Sequence, residues 1–168
     1  MVFGFFRRDP TAAWPAVAAA PLRLDAATGA LNGMPLGAPA AAIAQFGRPD
    51  NRGATRAGEY EYRALGLTVR TYDGRVDSFT FSFDDPIRPD FGACTLEVLL
   101  PRGRALTLTG ATYQADLERA LGRPDGPPEE GAEERTVQFG AGAVSLAANI
   151  ALDGRLVDLW VDRRAPAG

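Results

Sequence analysis

Gly47-Arg48-Pro49-Asp50 returns 75 residues later as Gly122-Arg123-Pro124-Asp125, and that recurrence decides how the rest of the chain is read. Downstream of each copy stands a second landmark: Asp73-Gly74-Arg75-Val76 and Asp153-Gly154-Arg155-Leu156, 80 residues apart. Upstream, Leu31-Asn32-Gly33 parallels Leu108-Thr109-Gly110, 77 apart. A Gly-, Arg- and Pro-rich chain can supply one such match by chance, but three in one order point to a repeat. The expectation is two tandem copies of one unit, residues 20–86 and 95–164, packed as one compact domain. Residues 1–19 form an N-terminal segment with a short helix around Trp14, 87–94 a linker and 165–168 a tail.

Within each unit the order reads strand, strand, short helix, then three strands. Leu22 to Leu24, a turn at Ala26-Ala27-Thr28-Gly29 and Leu31 make the first pair; Leu96–Leu100, Pro101–Arg104 and Leu106–Leu108 match it. The helices are expected over Pro39–Phe46 and Tyr113–Leu121, with Ala42/Phe46 and Leu117/Leu121 on one face at i, i+4. Gly47 and Gly122 then stop the helices, because Gly accepts positive φ, and Pro49 and Pro124 prevent continuation. A meander follows. Tyr60/Tyr62, Leu67/Val69 and Phe79/Phe81/Phe83 alternate with polar residues, as do Val137/Phe139, Val144/Leu146/Ile150 and Val157/Leu159/Val161. Gly74 and Gly154 permit the hairpin turns after Asp73 and Asp153. The fold class is α+β, an antiparallel sheet with short helices on one face.

Composition removes several chemistries. The 168 residues carry a net charge of −3, no His and one Cys, and all 18 basic residues are Arg. Ser-His-Asp and Cys-His nucleophilic arrangements, His-based metal sites, Schiff-base lysines and the phosphate-loop Lys are all excluded. Cys94 has no partner for a disulfide and no His or Lys to make it a thiolate. Dispersed arginines on an acidic chain argue against nucleic acid. No apolar run reaches a membrane-spanning length. Phe3, Phe5 and Phe6 precede Arg7 and Arg8, the reverse of a secretory signal, so a cytoplasmic location is expected. No cofactor and no metal site are expected.

The layout of two such units resembles the β-lactamase inhibitory proteins, and a single unit resembles the small outer-membrane assembly lipoproteins of the SmpA/OmlA kind. The likeness lies in copy number, unit length and the Gly-Pro stop between short helix and meander, over residues 20–164. It implies a scaffold that binds other proteins through an open sheet face. The lone Cys94 departs from the inhibitors' paired cysteines, and no inhibitor contact residue is matched, so no residue role is carried over.

If the alternating apolar residues face the helices, the opposite face shows Glu59, Glu61, Arg63, Arg70, Tyr72, Thr80 and Ser82. Trp160 falls on that same face between Asp158 and Asp162. An aromatic anchor among Arg and carboxylates is the residue mixture of an interface hot spot. The expected activity is therefore non-catalytic protein binding, in its concrete form a bacterial immunity or inhibitor protein that occludes its target. Trp160, Tyr72, Arg63, Arg70, Asp158 and Asp162 are the expected contacts. One alternative is a small-ligand sensor with a pocket between the copies. The other is a carboxylate-based hydrolase using Glu59/Glu61 or Asp84/Asp85, though Glu61 opposite Arg70 reads as a cross-strand ion pair and Asp84-Asp85-Pro86 as a turn.

Overall fold

The computed structural model describes residues 9–17, 21–51 and 53–163. The N-terminal Phe/Arg stretch 1–8, Arg164 and the tail 165–168 lie outside the described residues. In chain order the strands are β1 (Leu22–Asp25), β2 (Ala30–Leu31), β3 (Met34–Pro35), β4 (Glu59–Tyr62), β5 (Leu67–Tyr72), β6 (Arg75–Ser82), β7 (Leu96–Leu100), β8 (Arg104–Leu108), β9 (Glu129–Glu130), β10 (Glu134–Ala141), β11 (Val144–Ala151) and β12 (Leu156–Arg163). The helices are α1 (Ala54–Ala57) and α2 (Gln114–Leu121). This is a mixed α+β fold with few, short helices.

The strands form two sheets, where the alternation pattern predicted one. A seven-stranded sheet runs β4-β5-β6-β12-β11-β10-β9, and a five-stranded sheet runs β3-β2-β1-β7-β8. In the first, the two meanders join edge to edge through the antiparallel pair β6/β12, with Phe79 opposite Val161 and Phe81 opposite Leu159. In the second, β1 and β7 pair in parallel, Leu22 beside Leu96 and Leu24 beside Val98. The expectation of an all-antiparallel sheet is thus corrected. Period-two alternation marks a half-buried strand but carries no information on the direction of its neighbour.

Apolar residues of both sheets share one core. Leu24, Leu31, Leu96 and Val98 from the smaller sheet belong to the same buried cluster as Phe79, Phe81, Leu146 and Leu159 from the larger. β11 shows the cause at residue level: Val144, Leu146, Ala148 and Ile150 are buried while each intervening residue is not. Trp14 stacks on Tyr60 with centroids 5.9 Å apart, closing the core at the β4 edge. Buried Tyr62 donates its hydroxyl to the Gly47 carbonyl at 3.0 Å, so its polar tip is satisfied.

The first expected helix is a 3-10 segment, Ala40–Phe46, held by bonds such as Ala42 N–H to Pro39 C=O at 2.9 Å. With three residues per turn the buried pair becomes Ile43/Phe46, at i, i+3, rather than Ala42/Phe46. Its stop is glycine-dependent as expected: Gly47 has φ 88° and ψ −165°, and Gly122 after α2 has φ 95° and ψ −161°. Asp73 and Gly74 both take positive φ, 48° and 71°, as a two-residue hairpin turn requires.

Several backbone hydrogen bonds recur at the landmark positions. Ala40 N–H donates to Gly74 C=O and Gln114 N–H to Gly154 C=O, both at 2.9 Å. Val76 N–H donates to Ala38 C=O and Leu156 N–H to Thr112 C=O, both at 2.8 Å. Asp50 N–H donates to Glu61 C=O and Asp125 N–H to Gln138 C=O, again both at 2.8 Å. The two hairpins also carry irregularities, between Arg70 and Thr71 on β5 and between Asn149 and Ile150 on β11.

Candidate protein-binding face

The outer face of the seven-stranded sheet takes its character from short polar residues. Thr68 on β5, Ser78, Thr80 and Ser82 on β6, and Ser145, Ala147 and Asn149 on β11 leave room above the strands. Trp160 on β12 sits directly between Thr80 and Ala147 in register. Neither neighbour can bury an indole, so the ring stays half-buried. Arg70 reaches it from β5, its guanidinium carbon 4.6 Å from the ring centroid. The Arg70 Nε lies 3.8 Å from a Glu59 carboxylate oxygen, and it is buried with no hydrogen-bond partner among the described residues. A cation stacked on Trp with its charge only loosely neutralised is the electrostatic centre of this face.

The other expected contacts divide. Tyr72 is 78% exposed at the open end of the β5/β6 hairpin. Asp162, opposite Ser145, is exposed; partial desolvation raises its carboxyl pKa, Asp77 adds to the rise and Arg70 opposes it. Arg63 belongs to a different neighbourhood, bound to Glu61 at 3.1 Å and Asp90 at 2.8 Å. Asp158 is only 9% exposed and is taken up by a ladder across three strands. Thr136 donates to the Asn149 amide oxygen at 2.6 Å, and the Asn149 amide nitrogen donates to both Asp158 carboxylate oxygens, at 3.1 and 3.2 Å. Desolvation pushes the Asp158 pKa up to about 6; Asp85 and Glu134 add to the rise, while Asn149 and Arg88 oppose it. Asp158 is therefore a buried acid and not a rim contact.

The face is also less open than the strand pattern implied. Arg88, from the segment joining β6 to β7, donates to Thr68 Oγ1 at 3.2 Å, lies 3.9 Å from Glu59 and stacks over Phe91. It covers the β4/β5 end, and Thr68 is buried as a result. Residues 87–94 read as a plain linker because their function is tertiary: neither periodicity nor a motif announces that an Arg folds back on a sheet. The predicted Glu61–Arg70 pair is replaced by Glu59–Arg70, because the register sets Glu59 opposite Arg70 and Glu61 opposite Thr68.

The remaining chemical candidates are structurally committed. Asp84 and Asp153 both bind Arg155, at 3.1 and 2.7 Å, and Asp85 accepts the Ile87 N–H at 2.8 Å as a turn. Cys94 is buried, and burial alone pushes its thiol pKa up to about 12. A groove of about 470 Å³ runs beside Asp84, Pro86, Ile87, Glu133 and Arg155, between the joining segment and the β10/β11 end. Among the described residues no group of three or more His, Cys, Asp or Glu is placed to hold a metal ion. No helix among them is long and apolar enough to cross a membrane.

No protein-family model matches the chain. No curated protein matches it either. Among solved structures it is similar to a DUF4309 family protein (YjgB) from Bacillus subtilis subsp. subtilis str. 168, at 14% identity and a TM-score of 0.46, over 74% of this chain and 76% of that one.

Proposed function

We propose that the chain is a duplicated α+β module that binds another protein through the outer face of its seven-stranded sheet and acts by occlusion, as immunity and inhibitor proteins do. The observation that carries this reading is the Arg70–Trp160 stack among short side chains. A half-buried indole with a stacked, incompletely neutralised guanidinium gains most when a partner removes the remaining water. Tyr72 and Asp162 are the flanking contacts, whereas Asp158, on the same face, is taken up by its bonds to Asn149.

Duplication is favoured by the recurring bonds at Ala40/Gln114, Val76/Leu156 and Asp50/Asp125. The two hairpin irregularities agree with it. In the first, Asp77 is skipped between Ser78 and Val76; in the second, Val157 is skipped between Asp158 and Leu156, 80 positions on. Duplication also explains why Thr80 and Trp160 pair with each other, since they hold corresponding places relative to the Asp-Gly-Arg turns.

The test is a quantitative pull-down from the native cell lysate with wild type and a folded Trp160→Ala, Arg70→Glu variant. One stoichiometric protein caught by wild type and lost by the variant is the expected result; toxicity of that partner expressed alone would support the immunity form. Equal capture by both proteins would refute the face. No protein in either lane, with a metabolite co-purifying, would replace this reading with a ligand sensor.

A further inference from the structure

A second surface, on the smaller sheet, has its own logic. β2 is flanked outward by β3, with Leu31 opposite Met34 and Ala30 opposite Pro35. Met34 and the following Leu36 are buried, Pro35 exposed. At the other end of the sheet, β8 has β7 on one side and, among the described residues, no strand on the other. The chain difference is short: five steps lead from Gly33 to Ala38, and two from Gly110 to Thr112, before the corresponding bonds to Val76 and Leu156. The second half therefore has no residues to spare for a covering strand.

The outer edge of β8 is consequently left with outward-pointing N–H and C=O groups along Arg104–Leu108. Beside it lies a groove of about 650 Å³ between β8 and α2, bordered by Leu106, Thr107 and Ala120. A further groove of about 490 Å³ at the β8 start shares Leu100, Arg104 and Ala120 with it and adds Arg102. Arg102 and Arg104 have no carboxylate partner among the described residues, whereas Arg119 is already bound to Asp116 at 2.9 Å. Two unpaired cations thus stand at one end of an unpaired strand edge, on a chain whose net charge is −3.

We propose that β8 accepts an extended acidic segment of a partner protein as an added antiparallel strand. Its backbone pairs with the β8 edge, an apolar side chain enters the groove beside α2, and its carboxylates meet Arg102 and Arg104. The apolar-x-apolar pattern of Met34-Pro35-Leu36 indicates the spacing, and the arginines supply the preference for acid.

A displayed library of random decapeptides, selected on the full chain and counter-screened on the Arg102→Glu, Arg104→Glu variant, tests this directly. Both arginines lack partners, so the variant should keep the wild-type circular dichroism spectrum and melting temperature. The expected outcome is enrichment of peptides with Asp or Glu alternating with apolar residues. They should bind the variant at least tenfold more weakly and shift the β8 amide resonances. Failure to enrich any peptide, or enriched peptides that bind both forms equally or shift β12 instead, would overturn the proposal. A concentration-dependent dimer abolished by the same variant would assign the edge to a second copy and overturn it as well.

Discussion

Asp158 shows how much a single residue's surroundings decide. In an isolated strand it is an ordinary surface carboxylate; here it is desolvated, with Asp85 and Glu134 adding to the rise and the Asn149 hydrogen bonds and Arg88 opposing it. Its folded-state pKa of about 6 exceeds the ordinary value of 3.8, so the folded state holds the proton more tightly. Stability therefore falls as pH rises from about 4 to about 6 and levels off above, a loss of roughly 2–3 kcal/mol. Asp162 adds to the same slope. Urea midpoints measured between pH 4 and pH 8 should fall with pH in wild type and flatten in Asp158→Asn, which also becomes the more stable protein at pH 7.5. A wild-type midpoint that rises with pH would contradict the burial. The paired stop glycines give a second residue-scale expectation. Gly47 and Gly122 share a backbone conformation closed to L side chains, so alanine at either costs about 1–3 kcal/mol. A Cβ at Gly47 would also stand 2.7 Å from the Ala16 carbonyl oxygen, while one at Gly122 meets nothing within 4 Å. Thermal unfolding should accordingly show Gly47→Ala as clearly the more damaging of the two.

At the scale of elements, the joint between β6 and β12 holds the larger sheet together. Phe79, Phe81, Leu159 and Val161 are all inaccessible to solvent and face each other across it. Leu159→Ala should cost about 2–5 kcal/mol, the range for a large core side chain cut to a methyl. Chemical denaturation should show the loss without a second transition appearing. This scale also shows where sequence reading succeeds and where it stops. The three-strand meanders, the turn at Asp73-Gly74 and both glycine stops were legible because each rests on a local rule: alternation, positive φ, or a helix end. The parallel β1/β7 pair, the split into two sheets and the Arg88 cover were not, since each depends on which distant segment lies alongside. For the candidate face, alternation placed Trp160 and Arg70 on one side of the sheet. It could not show that Asn149 would bind Asp158 on that face or that Arg63 would turn to Asp90.

For the whole molecule, one core serves both halves. Leu24 and Leu31 from the first half and Leu96 and Leu146 from the second lie in a single buried cluster. A unit of under 70 residues buries too small a fraction of its surface to be secure alone. Residues 20–86 expressed by themselves should therefore lack the sharp thermal transition and dispersed amide spectrum of the full chain. The intact protein should unfold in one calorimetric transition. A folded, cooperative fragment would mean that the halves are independent domains.

The proposed function requires that the sheet face around Trp160 meets another protein. A photocrosslinking amino acid placed at position 160, at Tyr72 or at Leu152 in living cells reads that contact in place. Leu152 is 74% exposed in the β11–β12 connection and serves as an exposed position away from the Arg70–Trp160 stack. One discrete adduct, with the same partner, is expected from positions 160 and 72 and none from 152. Adducts from 152 with none from 160 would contradict it.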